Sequence, residues 1–237
     1  MNKLLKFRQT HDQKHYFVSD THYNHNPKWQ VPLWEARGYS SVDEMNNDIV
    51  NKINSVVRPN DFLWHLGDIT LNCTEEQFEN FISRLVCQNI LCLWGNHNSP
   101  SWQIYQREVK SWLRCNDEGY NGDNGGTPHT LETDIEIYPF KYKNITFIGN
   151  YQEIAIDGQY IVLEHYPISV FNYMDDGGWN LCGHSHYGFA PSTAEHKDNK
   201  ILDVGWEGKK GVYSIKEIRD IMNTKGIKVV DHHGKTS

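Results

Sequence analysis

Three times in the first hundred residues an apolar run of strand length stops on a short polar block, and a helix-patterned stretch separates the later ones. His15 to Ser19 ends at Asp20, Phe62 to Leu66 closes on Gly67-Asp68, and Asn89 to Trp94 ends on Gly95-Asn96-His97. Between the first two, a loop with Pro27 and Pro32 leads into Ser41-x-x-Glu44, which reads as a capping box. Met45, Ile49, Ile53 and Val56 then recur at helical spacing until Arg58-Pro59 stops the helix. Between the second and third, Thr74-x-x-Gln77 caps a helix whose apolar face is Phe78, Phe81, Ile82 and Leu85. Strands alternating with helices predict an α/β sheet, and polar residues at each strand's carboxyl end put the site where open sheets hold theirs.

The second half has a different texture. A helix over 101–113 is followed by Cys115 to Pro128, whose four glycines with Asn and Asp read as a loop insertion over 115–128. Short β-rich runs then dominate, at Thr146-Phe147-Ile148, Glu153 to Ile156, Tyr160 to Leu163 and Trp179 to Cys182, with Asp157-Gly158 as a hairpin signal. Ser214-x-x-Glu217 caps a short helix reaching about Met222, and a last strand is predicted over Ile227 to Val230. Neither an internal repeat nor a linker divides the chain, so residues 1–237 read as one domain.

Bulk properties exclude several classes. The net charge is −7, with Lys and Arg neither in excess nor clustered, which argues against a broad nucleic-acid-binding surface. No apolar stretch approaches the roughly 18 residues of a membrane helix, and Met1 to Thr10 has no secretory pattern. Five scattered cysteines, Cys73, Cys87, Cys92, Cys115 and Cys182, lack zinc spacing and read as reduced thiols of a cytoplasmic protein.

The polar blocks are Asp20-Thr21-His22, Gly67-Asp68, Gly95-Asn96-His97, His165 and Gly183-His184-Ser185-His186. Imidazole and oxygen donors in such a set can hold two divalent cations side by side, which is machinery for hydrolysing phosphate esters. A carboxylate can span two ions about 3.5–4 Å apart, and an amide oxygen adds coordination without cancelling charge. The donor mix suits manganese, iron or zinc better than calcium or magnesium alone. Two such ions carry about +4 against about −3 from Asp20, Asp68 and a hydroxide, so an acidic chain can still present a positive pocket to an anionic substrate. His184 and His186, alternating on an extended segment, are expected to face one side, and Gly67, Gly95 and Gly183 to allow sharp turns. Singly, each block also reads as an ordinary turn or a core histidine; the ordered set of five is what points to metal chemistry.

In order, these blocks resemble the calcineurin-like metallophosphoesterase superfamily, whose pattern is DxH, GD, GNH, a lone H and GHxH. The resemblance runs from Tyr16 to Met222 and is nearest to a branch of small bacterial and phage phosphoesterases. It implies a four-layer α/β/β/α sandwich of two mixed sheets, with a dinuclear metal site at strand carboxyl ends. One metal would be held by Asp20, His22, Asp68 and His186, the other by Asp68, Asn96, His165 and His184. The implied cofactors are two divalent ions, Mn2+ first, with Fe, Zn or Mg as alternatives. The implied reaction is hydrolysis of a phosphate mono- or diester by a metal-bridging hydroxide, without a phosphoenzyme, Ser185 being a spacer.

His97 is the candidate catalytic residue, placed to protonate the leaving alkoxide. Relatives carry a carboxylate after this histidine where this chain has Asn98, and protein phosphatases carry an arginine after GD where this chain has Ile69-Thr70-Leu71-Asn72. A small phosphorylated or nucleotide-like substrate is therefore preferred over a phosphoprotein. His25 is the candidate phosphate contact. Tyr23, Trp29, Trp94, Tyr166, Phe171 and Tyr187 could stack a base, packing being the competing reading, and His232-His233 reads as a frayed end. The alternatives are a non-catalytic protein-binding module on the same fold and a nuclease for short oligonucleotides. The oligomeric state is left open.

Overall fold

The computed structural model describes residues 4–28, 30–97, 99–116, 138–188 and 199–229. Trp29, Asn98, positions 117–128 of the insertion, Val230 and His232-His233 therefore lie outside the described residues.

Two mixed sheets form the body. The first joins β2 (His15–Val18), β3 (Phe62–His65), β4 (Asn89–Cys92), β5 (Phe140–Tyr142), β6 (Ile145–Phe147) and β11 (Tyr213–Ser214), in the order β11-β2-β3-β4-β6-β5. β2, β3, β4 and β6 are parallel, and the two edge strands run antiparallel to them. The second sheet has the order β1-β7-β8-β9-β10, from β1 (Leu5–Phe7), β7 (Tyr151–Ile156), β8 (Gln159–Glu164), β9 (Trp179–Cys182) and β10 (Ile201–Asp203). Asp157 and Gly158 have φ of 51° and 83°, the left-handed pair that a tight hairpin between β7 and β8 requires.

Side-chain alternation explains the layering. Phe17, Trp64, Leu66 and Leu93 point from the first sheet toward Ile154, Ile156, Leu163, Trp179, Leu181 and Leu202 of the second, forming the core between sheets. Val18, Leu63, Ile90 and Phe147 face the other way, onto α2 (Val42–Val56), α3 (Glu75–Arg84) and α4 (Ser101–Asn116) through Met45, Ile49, Phe78, Phe81 and Ile104. Each such chain removed from water contributes about 1.5–3 kcal/mol. α5 (Ile215–Met222) inserts Ile218 and Met222 at the edge of the inter-sheet core. Among the described residues, the outer face of the second sheet is covered by Phe171 and by Met174 of a 3-10 turn over Met174–Asp176, against Val162, Cys182 and Ile201. Among the described residues no helix is long and apolar enough to cross a membrane.

The helix starts follow their caps, with one difference. Thr74 and Ser214 form full capping boxes with Gln77 and Glu217. Ser41 accepts the Glu44 N–H, but the Glu44 carboxylate turns to Ser40 instead, accepting from its backbone N–H and hydroxyl. Two further expectations change, and four strands come unannounced. Residues 227–229 are not a strand, α4 takes in Cys115, and the short strands β1, β5, β10 and β11 carry no apolar run long enough to announce them.

Parallel register aligns the site. Val18 pairs with His65 and His65 with Cys92, so three chains leave the first sheet at one level. The outgoing loops stay bonded: Asp20 donates its N–H to Gly67 O at 3.2 Å and His22 to Asp68 O at 3.0 Å. Ser19 meets Gly205 in a bridge that ties β2 to the chain leaving β10, and this brings the two sheets together at their site ends.

Candidate metal centre

Five of the seven candidate ligands have left-handed backbones, with φ of 54° at Asp20, 46° at His22, 53° at Asp68, 67° at His184 and 48° at His186. Such conformations are unfavourable for residues with a side chain and collect at functional sites, where surrounding bonds impose them. They also correct one expectation. His184 and His186 do not lie on an extended segment facing one side; their turns send His184 toward Asn96 and His186 toward His22. Of the three glycines, only Gly67 has a positive φ, 100°. Gly95 and Gly183 serve proximity instead, since a Cβ on either would fall 2.0 Å from Asp68 Oδ1 or Ser19 Oγ.

All seven side chains converge. His22 Nε2 and His186 Nε2 are 3.3 Å apart, with parallel rings. Asn96 Oδ1 lies 2.9 Å from both His165 Nε2 and His184 Nδ1. Asp68 Oδ2 stands between the two groups, 3.7 Å from His22 Nε2 and 3.5 Å from His165 Nε2. Asp20 accepts the His184 N–H at 3.0 Å and comes within 3.9 Å of His22 Nε2. Two sets of donors each lie within 4.8 Å of one another: Asp20, His22 and His186, and Asp20, Asp68 and His165. Asp20, His22, Asp68 and His165 are buried, whereas Asn96, His97, His184 and His186 are exposed, giving a floor of ligands beneath an open mouth.

These donors fit divalent ions. Around an ion with bonds of about 2.1 Å, neighbouring ligands sit about 3.0–3.4 Å apart, which is the His22–His186 spacing. His165 Nδ1 points at Leu66 O at 2.8 Å; a carbonyl only accepts, so Nδ1 carries the proton and Nε2 offers its lone pair to the pocket. Burial pushes the Asp20 carboxyl up to about 7, a desolvation cost that a neighbouring cation would offset. Burial acts on Asp68 in the same direction, whereas a protonated His165, donating from Nε2, would outweigh it and hold that carboxyl at about 2.

A supporting layer escaped sequence reasoning. Glu207 accepts from His186 Nδ1 at 3.0 Å and from Arg37 Nε at 2.8 Å. Arg37, itself buried, donates to Asp20 O at 2.7 Å and to Thr21 O at 2.8 Å, so one guanidinium clamps the first block to the last. Burial would raise the Glu207 carboxyl, yet His186 and Arg37 bring it down to about 2, and the Glu207 bond holds His186 above the ordinary histidine value. Asp203, fully buried, accepts from Ser185 Oγ, from the Tyr187 N–H at 3.0 Å and from the Gly205 N–H at 2.7 Å. Ser185 is thus a tie to β10 as well as a spacer. One signal was present: Ile201-Leu202 running into Asp203, with Gly205 close behind, repeats the pattern of the other blocks.

His97 donates its backbone N–H to Asp68 Oδ1 at 2.7 Å, and its ring lies 5.7 Å from that of His22. His25, the candidate phosphate contact, has its ring 6.2 Å from that of His22. It is buried, its Nδ1 accepts the Leu33 N–H at 2.9 Å in the loop ahead of α1 (Leu33–Ala36), and its Nε2 lies 3.3 Å from the Gln30 side-chain amide. Tyr23 and Trp94 are core residues, stacked on Phe81 and Phe147. Tyr166 is exposed beside His184, with ring centroids 4.5 Å apart.

Known proteins resemble this chain. The uncharacterized protein MJ1445 of Methanocaldococcus jannaschii is 33% identical over 158 residues, covering 61% of this chain and 88% of its own. A crystal structure of the Aquifex aeolicus protein of unknown function AQ665 superposes with a TM-score of 0.55 at 18% identity, over 88% of this chain and 99% of that one, a likeness of fold. The calcineurin-like phosphoesterase family matches residues 14–230, and the chain belongs to that family.

Proposed function

We propose that this chain hydrolyses a small phosphodiester or nucleotide with two divalent ions, Mn2+ first among them. Membership of the family carries the coarser statement, metal-dependent hydrolysis of a phosphoric ester. The observation that supports the two-ion reading is the position of Asp68 Oδ2, within 3.7 Å of His22 Nε2 on one side and 3.5 Å of His165 Nε2 on the other. Asp20, His22, Asp68 and His186 would hold one ion, and Asp68, Asn96, His165 and His184 the other. When bound, such a pair supplies positive charge to phosphoryl oxygens and acidifies a water.

The chain's own residues do the remainder. Asp68 fixes the His97 backbone, so the exposed imidazole stands at the mouth of the ligand cluster. There it gives a proton to the ester oxygen as the P–O bond breaks, while the water oxygen forms the new P–O bond and its proton leaves to solvent. Ser185, between the two histidine ligands, is engaged with Asp203, which supports attack by water rather than by this hydroxyl. Cys73, Cys87, Cys92 and Cys182 are free and buried, which supports a reducing, cytoplasmic setting.

Turnover of bis-p-nitrophenyl phosphate with added manganese tests the proposal. Asp68→Ala abolishes it, and His97→Ala lowers kcat by about 10²–10⁴ on an alkyl ester, whose leaving alkoxide needs the proton, and by less on the p-nitrophenyl ester. Absence of turnover with Mn, Fe, Zn and Mg alike would overturn it, as would full activity in Asp68→Ala.

A further inference from the structure

Beside His97 the surface opens into a cleft of about 400 Å³ that begins at Asn96 and runs away from the ligand cluster toward α4. Its size is within the range of small-molecule sites. Two kinds of side chain make its walls. Trp94 and Trp102 supply indoles, and Asn72, Gln103 and Asn150 supply exposed carboxamides. Among the described lining residues none is Lys, Arg, Asp or Glu.

The indoles are braced. Trp94 stacks on Phe147 at 4.1 Å and donates Nε1–H to the Tyr138 hydroxyl at 2.6 Å. Trp102 lies edge-on to Trp94 at 5.1 Å, backed by Tyr105 at 5.1 Å, and remains partly exposed. Rigid aromatic surface of this sort lends a flat partner its area at little entropic cost. Carboxamides offer a donor and an acceptor together, which matches the edge of a nucleobase. A second phosphate would find no cation among these residues, and a polyol would leave the indole surface unused. His97 lines the same cleft, so the oxygen it protonates and whatever is attached to that oxygen lie on this side.

We propose that this cleft, walled by Trp102 and the amides of Asn72, Gln103 and Asn150, receives the nucleobase of a nucleotide-like substrate on the leaving-alcohol side of the phosphorus. The assignment rests on the phosphoesterase reading above.

Binding to the manganese-loaded full chain, followed by tryptophan fluorescence with adenosine 5′-monophosphate against ribose 5-phosphate, tests it. The two ligands share the phosphate and differ in the base, so their affinity ratio cancels any general damage to the protein. The expected result is a preference of roughly 5- to 100-fold for the nucleotide, the scale of one base–aromatic stack. Trp102→Ala removes that preference and Trp102→Phe restores most of it, while Gln103→Ala, at an exposed position of α4, reduces it. Equal affinities in the wild type would overturn the assignment, and so would a preference that survives Trp102→Ala. Failure of the parent reading is distinct: bis-p-nitrophenyl phosphate would then not be hydrolysed at all.

Discussion

The Nε2 atoms of His22 and His186 face each other at 3.3 Å although 164 positions separate them in the chain. His186 Nδ1 is committed to Glu207, so its Nε2 offers a lone pair to the shared space. A divalent cation seated between the two rings would bond both nitrogens. Manganese is therefore expected to stabilise the fold. At a hundredfold excess over Kd the gain is about 2.7 kcal/mol, which for a chain of this size raises Tm by roughly 5–10 °C. Thermal melts with manganese and with EDTA read it directly, and His186→Ala shrinks the difference. Superimposable melts of the wild type in the two buffers would refute the site.

Glu207 sets the orientation and tautomer of His186, and the same carboxylate neutralises buried Arg37. Replacing Glu207 with Gln keeps the shape but loses the charge. Removing the carboxylate behind a histidine ligand lowers metal affinity by about 10–100-fold, and leaving Arg37 unpaired costs up to about 3–5 kcal/mol. Calorimetric titration of manganese into Glu207→Gln measures the first, and urea unfolding measures the second. Wild-type Kd in that variant would show that Glu207 does not act through His186.

What could be read beforehand follows the range of the interaction. The Thr74 and Ser214 caps and the Asp157-Gly158 hairpin are settled within four residues, and they stand as the sequence implied. The seven donors were legible because each sits at the end of a strand run or in a Gly-flanked block. Arg37 and Glu207 were not, because a pair 170 positions apart leaves no local spacing to detect. β1 was missed for the same reason: three residues pair with β7, Leu5 opposite Ile154, and the partner alone makes them a strand. The turn at His184 to His186 misled in another way. Alternation implies an extended segment only where φ is negative, and here the bonds of Asp203 to Ser185 and Tyr187 hold the chain in a left-handed path.

Gly183 should tolerate no side chain. A Cβ there would meet Ser19 Oγ at 2.0 Å and Asp20 Oδ2 at 2.5 Å, atoms of the buried floor that cannot yield without moving a ligand. Gly183→Ala is expected to lose about 1–3 kcal/mol, as overpacked sites do, and to lose manganese binding with it. Gly211→Ala is the control. Its nearest neighbours would lie at 3.8 Å and 3.9 Å, so its stability should stay within about 0.5 kcal/mol of wild type. Retained manganese affinity in Gly183→Ala would mean that the floor is looser than the packing implies.

His15 makes the fold acid-sensitive independently of the metal centre. It is fully buried, lies flat on Phe62 with ring centroids 4.8 Å apart, and accepts the Trp64 Nε1–H at Nδ1. Burial brings its pKa from 6.5 down to about 4, outweighing the opposite pull of Asp157 and Asp61. The unfolded chain therefore takes up a proton near pH 6.5 that the folded protein refuses until about pH 4. Stability from this residue is complete above the higher value and drains away between the two, by about 3 kcal/mol in all. His15→Phe removes the titration and leaves Trp64 Nε1 without its acceptor, at a cost of about 1–3 kcal/mol that does not vary with pH. Urea unfolding between pH 7 and pH 4.5 should accordingly give a shallower decline in the variant than in the wild type, from a lower starting level. Parallel curves would show that the neutral imidazole of His15 is not the source of the acid sensitivity.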